Sequence, residues 1–341
     1  MRAAAAVLAA LLLTACPPPD GLVYSTSSPY AAQQVRERLQ PVLDKHGFMG
    51  ELRVSGGALD GAKSGRGRIM PWASVTKQIV ATMVMQQVEA GALALDEPVD
   101  SYLADWPRDG LAAPTLRHLL RHQSGLHDPE DAGETTPPSD PAVCIRERTT
   151  PPGGAFAYNN CDYLVVARIL EQVTSQEIAE LFANRIAEPS GMMLAGFVGP
   201  DTVLAGTRDA ALRERISRYG AAGALAGPAS DLILFDEALM QGKLIGTKER
   251  DEMWRGEPTL GYTALGQWES VLPLEGCREP VRIIERRGSI GAFEARNFIL
   301  PEQQIAIAIM VEQTKQDLDF GEPWTKSGFS YDVLSVVACS E

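Results

Sequence analysis

The sequence lacks several features that would each indicate a particular class of protein. Only four histidines occur in 341 residues, and no two cysteines are spaced as Cys-x-x-Cys. No Gly-x-Ser-x-Gly segment is present either, which argues against a hydrolase whose serine lies on a strand-to-helix turn and works with a histidine. A zinc site is disfavoured because no histidine stands near a cysteine.

Positive charge is also scarce, since 31 lysines and arginines face 44 aspartates and glutamates, for a net charge of −13. An acidic surface repels phosphates and therefore argues against a nucleic-acid partner. Hydrophobic residues make up 45% of the chain, so a sizeable core is expected, in a protein that we expect to be a monomer. His118 and His122 are four residues apart and could share a metal, but no third ligand is in view, and we expect no metal or organic cofactor.

The N-terminal segment has the pattern of an export signal. Arg2 precedes an apolar run of 11 residues, well short of the ~20 that a membrane-spanning helix needs. The run ends in Leu-Thr-Ala-Cys, which resembles a bacterial lipobox and predicts a signal peptide over residues 1–15 with acylation at Cys16. Residues 16–30 would then be a flexible tether, and Pro17 favours transport to the outer membrane, on its periplasmic side. The alternative is ordinary signal cleavage with an incidental Cys16.

Four further cysteines follow, namely Cys144, Cys161, Cys277 and Cys339. An even number in an oxidising compartment favours two disulfides, for which three pairings exist. We expect Cys144–Cys161 and Cys277–Cys339, because each pair then lies within one half of the predicted fold.

Hydrophobic spacing predicts helices at both ends of the chain and through its middle. Helical patterns cover residues 31–45, Ser74–Gly91, Leu116–Arg121, Tyr163–Val173, Ile178–Ile186, Ser230–Met240 and Phe329–Ala338. Strand-like patterns cover Glu51–Ser55, Leu260–Trp268, Val281–Arg286, Phe293–Leu300 and Ile305–Val311.

This order of elements predicts an α/β (α+β) fold in which one antiparallel sheet is built from both chain ends and flanked by helices, with an all-helical domain inserted. We expect one domain over residues 31–341. Its sheet subdomain would comprise about 31–73 and 255–341, and its helical subdomain about 74–254.

Ser74 and Lys77 form a Ser-x-x-Lys motif at the start of a predicted helix. Spacing of three residues places the hydroxyl and the amine on the same helix face. A serine hydroxyl is a poor nucleophile until a base takes its proton, and a lysine can serve only if burial lowers its pKa. A helix beginning at Ser74 would also direct backbone N–H groups at the reaction centre. Alone, the motif fits an ordinary N-capping serine equally well.

Tyr158 and Asn160 form a Tyr-x-Asn motif in the loop before the next long helix. A phenol beside Lys77 could pass the proton of Ser74 to a leaving group. The amide of Asn160 could hold a substrate carbonyl and fix the lysine. By itself the segment also fits a loop-anchoring tyrosine followed by turn-forming asparagines.

Arg286-Arg287-Gly288-Ser289 lies between two predicted strands. The backbone N–H of Ser289 could face that of Ser74 and complete an oxyanion hole, in which one donor is typically worth ~10²–10³ in turnover. Either arginine could bind an anionic group of the substrate, and the pattern does not decide which of the two faces the site. The alternative is a solvated basic patch on a strand.

Together these motifs resemble the serine beta-lactamase and penicillin-binding protein superfamily, in particular class C beta-lactamases, D-alanyl-D-alanine carboxypeptidases and family VIII esterases. Ser74-x-x-Lys77 and Tyr158-x-Asn160 match its first two motifs. Framework segments that are similar, in order along the chain, are Leu116–Leu126, Pro189–Met192 and Ala222–Asp231. The resemblance implies a serine hydrolase that forms an acyl-enzyme at Ser74 with an ester, a D-alanyl peptide, for example from peptidoglycan, or a beta-lactam.

The chain departs from the family at the third motif. Members carry Lys or His, then commonly Thr or Ser, then Gly, where this chain has Arg286-Arg287-Gly288. Loss of the small hydroxyl disfavours beta-lactam recognition, so a carboxypeptidase or an esterase is expected rather than a true beta-lactamase. Lys326-Ser327-Gly328 matches the motif literally, but a predicted helix follows it instead of a strand. The remaining alternative is an inactive lipoprotein of this fold that binds cell-wall peptide or assists envelope assembly.

Overall fold

The computed structural model describes residues 33–107, 110–128, 141–146, 148–205, 207, 209–313 and 318–339. The predicted signal peptide, the acylation site Cys16 and the tether all lie outside these described residues. Among the described helices, none combines the length with the apolar character that crossing a bilayer would require.

Nine strands are present in the described ranges. They are β1 (Gly50–Ser55), β2 (Lys63–Ser64), β3 (Met70–Pro71), β4 (Gly196–Phe197), β5 (Leu225–Gly227), β6 (Trp268–Leu272), β7 (Val281–Ile290), β8 (Phe293–Leu300) and β9 (Ile305–Glu312).

The same ranges contain eleven α-helices, several of them only one turn long. They are α1 (Gln40–Lys45), α2 (Thr76–Glu89), α3 (Leu116–Leu120), α4 (Asn160–Thr174), α5 (Ile178–Phe182), α6 (Glu188–Ser190), α7 (Ala210–Arg218), α8 (Gly220–Gly223), α9 (Ala229–Met240), α10 (Thr247–Trp254) and α11 (Phe329–Ala338). A 3₁₀ turn, Ala73–Val75, leads into α2.

The large sheet has six antiparallel strands in the order β2-β1-β9-β8-β7-β6, so it is built from both chain ends. Every residue of β9 is buried, because this central strand has helices on both sides. Alternate side chains of a strand point to opposite faces, and the sheet therefore contributes to two separate cores. On one face Ile307 and Ile309 pack with α1 and α11, and on the other Ala308 and Met310 join the helical block.

A small sheet, in the order β3-β5-β4, lies within the helical block, and its strand β3 comes shortly before the nucleophile candidate in sequence. The backbone N–H of Trp72 donates to Leu225 O at 2.8 Å, and the Trp72 indole donates to Gly227 O at 3.0 Å. These two bonds anchor the chain between β3 and α2. The backbone at Ser74 is therefore held by a sheet on one side and by a buried helix on the other.

The prediction of a sheet from both chain ends is confirmed, and α11 has the predicted bounds. The predicted strand Leu260–Trp268 is wrong, since the described strand begins only at Trp268. Gly261, Tyr262 and Gly266 have φ values of 62°, 61° and 82°, which lie in the left-handed region and turn the chain. The strand predicted as Val281–Arg286 continues to Ile290, so the third motif lies inside β7.

Two helix starts also differ from the predictions. The α-helix expected from Ser74 begins at Thr76, because Ala73 has a φ of 45° and Ser74 lies in the 3₁₀ turn. The helix expected from Tyr163 begins earlier, at Asn160, because the side chain of Asn159 accepts the Cys161 N–H at 2.7 Å and caps it.

Both expected disulfides are present. Cys144 pairs with Cys161 and Cys277 pairs with Cys339, with Cα–Cα distances of 5.3 and 4.9 Å. The first joins α4 to the 3₁₀ turn Pro141–Ile145, and the second joins the end of α11 to the loop before β7. Each bridge therefore closes a loop within one half of the fold.

Candidate active site

Ser74 lies at the mouth of a cleft of about 420 Å³ between the helical block and β7. Its 3₁₀ turn follows Ala73, whose positive φ costs an L-residue of order 1 kcal/mol. This strain is tolerated because Trp72 on one side and α2 on the other fix the backbone. The turn presents the Ser74 hydroxyl to the cleft instead of into the helix.

Lys77 lies fully buried one turn further along, directly behind the serine. Its Nζ donates to Ser74 Oγ at 3.2 Å, to Asn160 Oδ1 at 2.7 Å and to Ala222 O at 2.6 Å. Burial lowers the pKa of Lys77 to about 8, and the positive charge of Arg286 acts in the same direction, while the nearby Tyr158 opposes both. The amine can therefore lose its proton at a moderately alkaline pH.

Tyr158 brings its hydroxyl to 2.5 Å from Ser74 Oγ. Lys77 Nζ lies over its ring at 4.9 Å from the centroid. Burial alone would raise the pKa of Tyr158, but the charges of Lys77 and Arg286 and the hydrogen bonds to the phenol outweigh it and lower the pKa below its ordinary value. Both groups that flank the serine hydroxyl thus have their pKa values shifted towards neutrality, as expected of a proton-transfer pair.

Asn160 lies in the first turn of α4, and its side chain contacts Lys77. Its Oδ1 accepts from Lys77, while its backbone N–H donates to Asp128 Oδ2 at 2.6 Å. Its side chain also borders the cleft. Asn160 can therefore orient the amine without itself carrying charge.

Both arginines of the third motif border the cleft, but it is Arg286 that lies on the face of β7 packed against the nucleophile's turn. It is buried, and its Nε donates to the carbonyl oxygen of Ser74 at 2.8 Å, with a terminal nitrogen 3.4 Å from the Tyr158 hydroxyl. Its guanidinium also lies over the Trp268 ring at 4.8 Å. Arg286 therefore contacts the nucleophile's backbone and the phenol together.

Arg287 points to the opposite face of β7, because neighbouring side chains of a strand alternate. Its guanidinium is held by Glu285, at 2.6 Å, and by Glu322, at 2.7 Å. The expectation that Arg287 binds an anionic substrate group does not fit this arrangement, since two carboxylates already neutralise it.

Gly288 and Ser289 lie where β7 passes the nucleophile's turn. A Cβ at Gly288 would stand 2.2 Å from Trp72 O and 3.0 Å from Ser74 N, so only glycine allows this approach. Ile290 and Phe293 close a two-residue hairpin and form a hydrogen-bonded pair. The next pair, Ser289 and Glu294, is then a non-hydrogen-bonded pair, so the Ser289 N–H points away from β8. Because β6 pairs with β7 only as far as Glu285, that N–H faces the open cleft. Ser74 and Ser289 can supply the two donors of an oxyanion hole.

A buried His122–Asp162 pair behind Tyr158 is the part of the site that sequence reasoning missed. His122 Nδ1 lies 3.0 Å from Asp162 Oδ2, and its ring lies 4.6 Å from the Tyr158 ring. Burial lowers the pKa of His122 well below, and raises the pKa of Asp162 well above, their ordinary values. The pair therefore shares a proton without net charge. The Asn159 N–H also approaches Nδ1, at 3.3 Å, which fixes the Tyr-x-Asn loop.

The remaining sequence candidates lie apart from this cluster. His118 accepts the Thr115 N–H at 3.2 Å in the capping box of α3, so it serves that helix end. No group of three or more potential metal ligands occurs in the part of the chain that the structure describes. Lys326, Ser327 and Gly328 lie in the turn before α11 and are not among the residues that line the cleft.

The sequence matches the beta-lactamase family over residues 29–326, and the chain therefore belongs to that family. Among curated relatives, a protein described as penicillin-binding protein PbpX, from Bacillus subtilis, is 29% identical over 193 residues, which cover 53% of this chain and 49% of that protein. The D-aminopeptidase of Cereibacter sphaeroides is 33% identical over 140 residues, which cover 38% of this chain and 26% of that protein. The chain thus spans half or less of the length of these relatives.

Solved structures show the same fold. The D-amino acid amidase of Ochrobactrum anthropi, complexed with L-phenylalanine amide, has a TM-score of 0.70 at 21% identity, covering 89% of this chain and 98% of that one. The penicillin-binding protein of Bacillus halodurans has a TM-score of 0.67 at 19% identity, covering 89% and 99%. The protein has the beta-lactamase-like fold of the serine beta-lactamase and penicillin-binding protein superfamily. The family match and its named relatives support a serine hydrolase.

Proposed function

We propose that this protein is a serine acyl hydrolase that cleaves an amide or ester bond of a D-amino acid through an acyl-enzyme at Ser74. The observation that carries the proposal is the position of Ser74 Oγ between the Tyr158 hydroxyl, at 2.5 Å, and Lys77 Nζ, at 3.2 Å. A nucleophile between two groups of shifted pKa is the arrangement that activates a serine without histidine. A protein that only binds peptide has no use for it.

In the first step the neutral amine of Lys77, assisted by Tyr158, accepts the hydroxyl proton as Ser74 Oγ bonds to the substrate's carbonyl carbon. The carbonyl electron pair moves to oxygen, where the N–H groups of Ser74 and Ser289 stabilise the negative charge. Collapse of this intermediate breaks the bond to the leaving group, which takes a proton from the Tyr158 hydroxyl. Lys77 returns its proton to Tyr158, which completes the acyl-enzyme.

In the second step a water molecule gives a proton to the same pair and attacks the ester carbonyl of the acyl-enzyme. The oxyanion again lies between the two backbone donors. Ser74 Oγ then leaves with a proton and the acid product is released. These steps need only side chains and backbone donors of the chain itself.

The substrate class is proposed from two features. Family members commonly carry a hydroxyl residue at the second position of the third motif. This chain has Arg287 there, and Glu285 and Glu322 neutralise its charge. The cleft is therefore less suited to the carboxylate of a beta-lactam. Relatives are named D-aminopeptidase and D-amino acid amidase, which favours D-amino acid amides and peptides over beta-lactams as first substrates to test.

Replacement of the nucleophile tests the proposal. Ser74→Ala should abolish covalent labelling by a fluorophosphonate probe and turnover of D-alaninamide, a D-alanyl-D-alanine peptide and p-nitrophenyl acetate. The matched control is Ser327→Ala, which removes an exposed serine of the Lys-Ser-Gly segment and should change neither readout. Labelling that persists in Ser74→Ala would assign the nucleophile elsewhere. Absence of labelling and turnover in the unsubstituted protein, together with tight binding of a cell-wall peptide, would favour the binding-protein alternative.

We also propose that the chain is exported and anchored by a lipid at Cys16. Support comes from the leader pattern that ends in Leu-Thr-Ala-Cys and from the two disulfides, which suit an oxidising compartment. Cells that express the full chain should incorporate a clickable palmitate analogue into it, and Cys16→Ser should remove the label. Equal incorporation in the two proteins would overturn the anchor.

A further inference from the structure

A second cavity, of about 820 Å³, lies next to the catalytic cleft and is larger than it. It is bounded by β6, by the outer face of β7 and by the segment that contains Trp324. Trp268 and Arg287 border both cavities. A molecule that extends from Ser74 past Trp268 would therefore enter the second cavity.

The walls of this cavity carry exposed apolar side chains. Trp324, Tyr262 and Val271 are 57%, 54% and 60% exposed, and all three line it. Large hydrophobic side chains left in water are a common sign of a binding surface when they cluster. Two aromatic rings with polar edges suit stacking on an apolar or aromatic group of a ligand.

The charges of the cavity disfavour one class of ligand. Three of its lining residues are carboxylates, Glu269, Glu285 and Glu322, against one lining cation, Arg287, and Glu269 is itself paired with Arg282 at 2.6 Å. Arg287 is bound to two of them and lies over the Trp324 ring at 5.1 Å, so it is not available to a ligand anion. These ion pairs leave one carboxylate charge unbalanced, so the cavity disfavours anionic groups relative to neutral or cationic ones.

The proposed mechanism relates the cavity to the leaving-group side of the reaction centre. In the mechanism above, Tyr158 protonates the departing atom. The Arg286 guanidinium lies over the Tyr158 ring at 5.7 Å and over the Trp268 ring at 4.8 Å, which connects that phenol to the shared wall. The Ser289 N–H, which would hold the substrate oxygen, lies further along β7, away from Glu285 and β6.

We propose that the second cavity binds the leaving-group portion of a peptide substrate, with a preference for aromatic and basic residues over acidic ones. This assignment rests on the proposed function, because it takes the bond cleaved at Ser74 as its reference point. Contacts of the leaving group with this cavity would favour peptides over simple amides as substrates.

Kinetics test the proposal in the full chain. We expect kcat/KM for D-Ala-Gly-Phe-Lys-amide to exceed that for D-Ala-Gly-Phe-Glu-amide. Trp324→Ala should lower kcat/KM for the Lys peptide about fivefold to tenfold, as is typical for loss of an aromatic contact. The same variant should leave kcat/KM for D-alaninamide unchanged. The control Leu194→Ala removes an exposed apolar residue outside both cavities and should alter neither substrate. Equal effects of Trp324→Ala on the long and short substrates would overturn the proposal.

A binding measurement separates this inference from the proposed function, because it needs no turnover. The product peptide Gly-Phe-Lys-amide should shift the fluorine NMR signals of Trp268 and Trp324 in fluorotryptophan-labelled protein. The analogue Gly-Phe-Glu-amide should bind more weakly and cause smaller shifts at the same concentration. Tyr262→Asn, a residue that tolerates the positive φ at this position, should weaken binding severalfold and serves if Trp324→Ala does not fold. If the protein hydrolyses no D-alanyl amide but the NMR shifts are still observed, only the proposed substrate is refuted. Turnover without any shift would refute the cavity's role.

Discussion

Gly288→Ala is expected to separate the two backbone donors of the oxyanion hole. The added Cβ would lie 2.2 Å from Trp72 O, 3.0 Å from Ser74 N and 3.1 Å from the Ala73 Cβ. None of these atoms is at the end of a flexible side chain, so either β7 or the 3₁₀ turn must move. An ordinary carbon–oxygen contact of about 3.4 Å requires a displacement of roughly 1 Å.

The magnitude follows from what this displacement separates. Ser74 N lies on one side of the contact, and the N–H of Ser289, one residue beyond Gly288, lies on the other. A shift of about 1 Å can cost on the order of 10² in rate, and loss of one oxyanion donor costs ~10²–10³. We therefore expect kcat to fall by at least about 100-fold. The free energy of unfolding should fall by only about 1–3 kcal/mol, as is usual for overpacking.

The assay compares kcat for the substrate that the unsubstituted enzyme turns over best with the midpoint of denaturant unfolding. Gly196→Ala is the matched control, because a Cβ there meets nothing within 4 Å. It should change neither quantity appreciably. A Gly288→Ala enzyme that folds and keeps kcat within about threefold of the unsubstituted protein would refute the assignment of the Ser289 N–H to the oxyanion hole.

Two further predictions concern proton handling. Burial lowers the pKa of Lys77 to about 8, and its neutral amine acts as the base, so kcat/KM should rise as the pH passes through about 8. A rise of kcat/KM only near pH 10.5, the ordinary pKa of lysine, would contradict the assignment of Lys77 as the base. His122→Phe keeps a ring of similar size but leaves Asp162 Oδ2 and the Asn159 N–H without their shared partner. It should lower kcat about 10-fold or more through Tyr158 and shift the pH limb. His46→Gln, whose ring contacts Asp332 at 2.7 Å and does not line the cleft, should do neither.

Much of the fold could be predicted from the sequence because the relevant signals are local. The alternation at the start of Phe293–Leu300 reflects a strand with two different faces, and the continuous apolar run Ile305–Val311 reflects a strand buried on both sides. The helical pattern of Phe329–Ala338 reflects a helix that is mostly buried. The wrong prediction of a strand at residues 260–268 arose from a turn that the sequence pattern does not reveal. Tyr262 adopts a positive φ that its residue type does not announce, so the pattern alone could not show the turn.

The candidate site divides in the same way. Ser74 and Lys77 are three residues apart, so any helix-like turn brings them to one face, but they were selected only together with the other motifs. Tyr158 and Asn160 could be selected only through a motif, since 84 residues separate Tyr158 from Ser74. The sequence gave no signal that His122 pairs with Asp162, because a buried neutral pair is recognised by what surrounds it and not by residue type.

By itself, the sequence determined the chemical groups available and the strand patterns at both chain ends, and it favoured one of three pairings of the cysteines. Only the tertiary structure decided that Arg286 enters the cleft while Arg287 is neutralised on the other face of β7. The physical reason is that facing and ion pairing depend on which distant segments meet a strand, here the turn at Ser74 on one side and Glu322 on the other. The close approach of Gly288 to Trp72, and the aromatic cavity beyond Trp268, have the same origin.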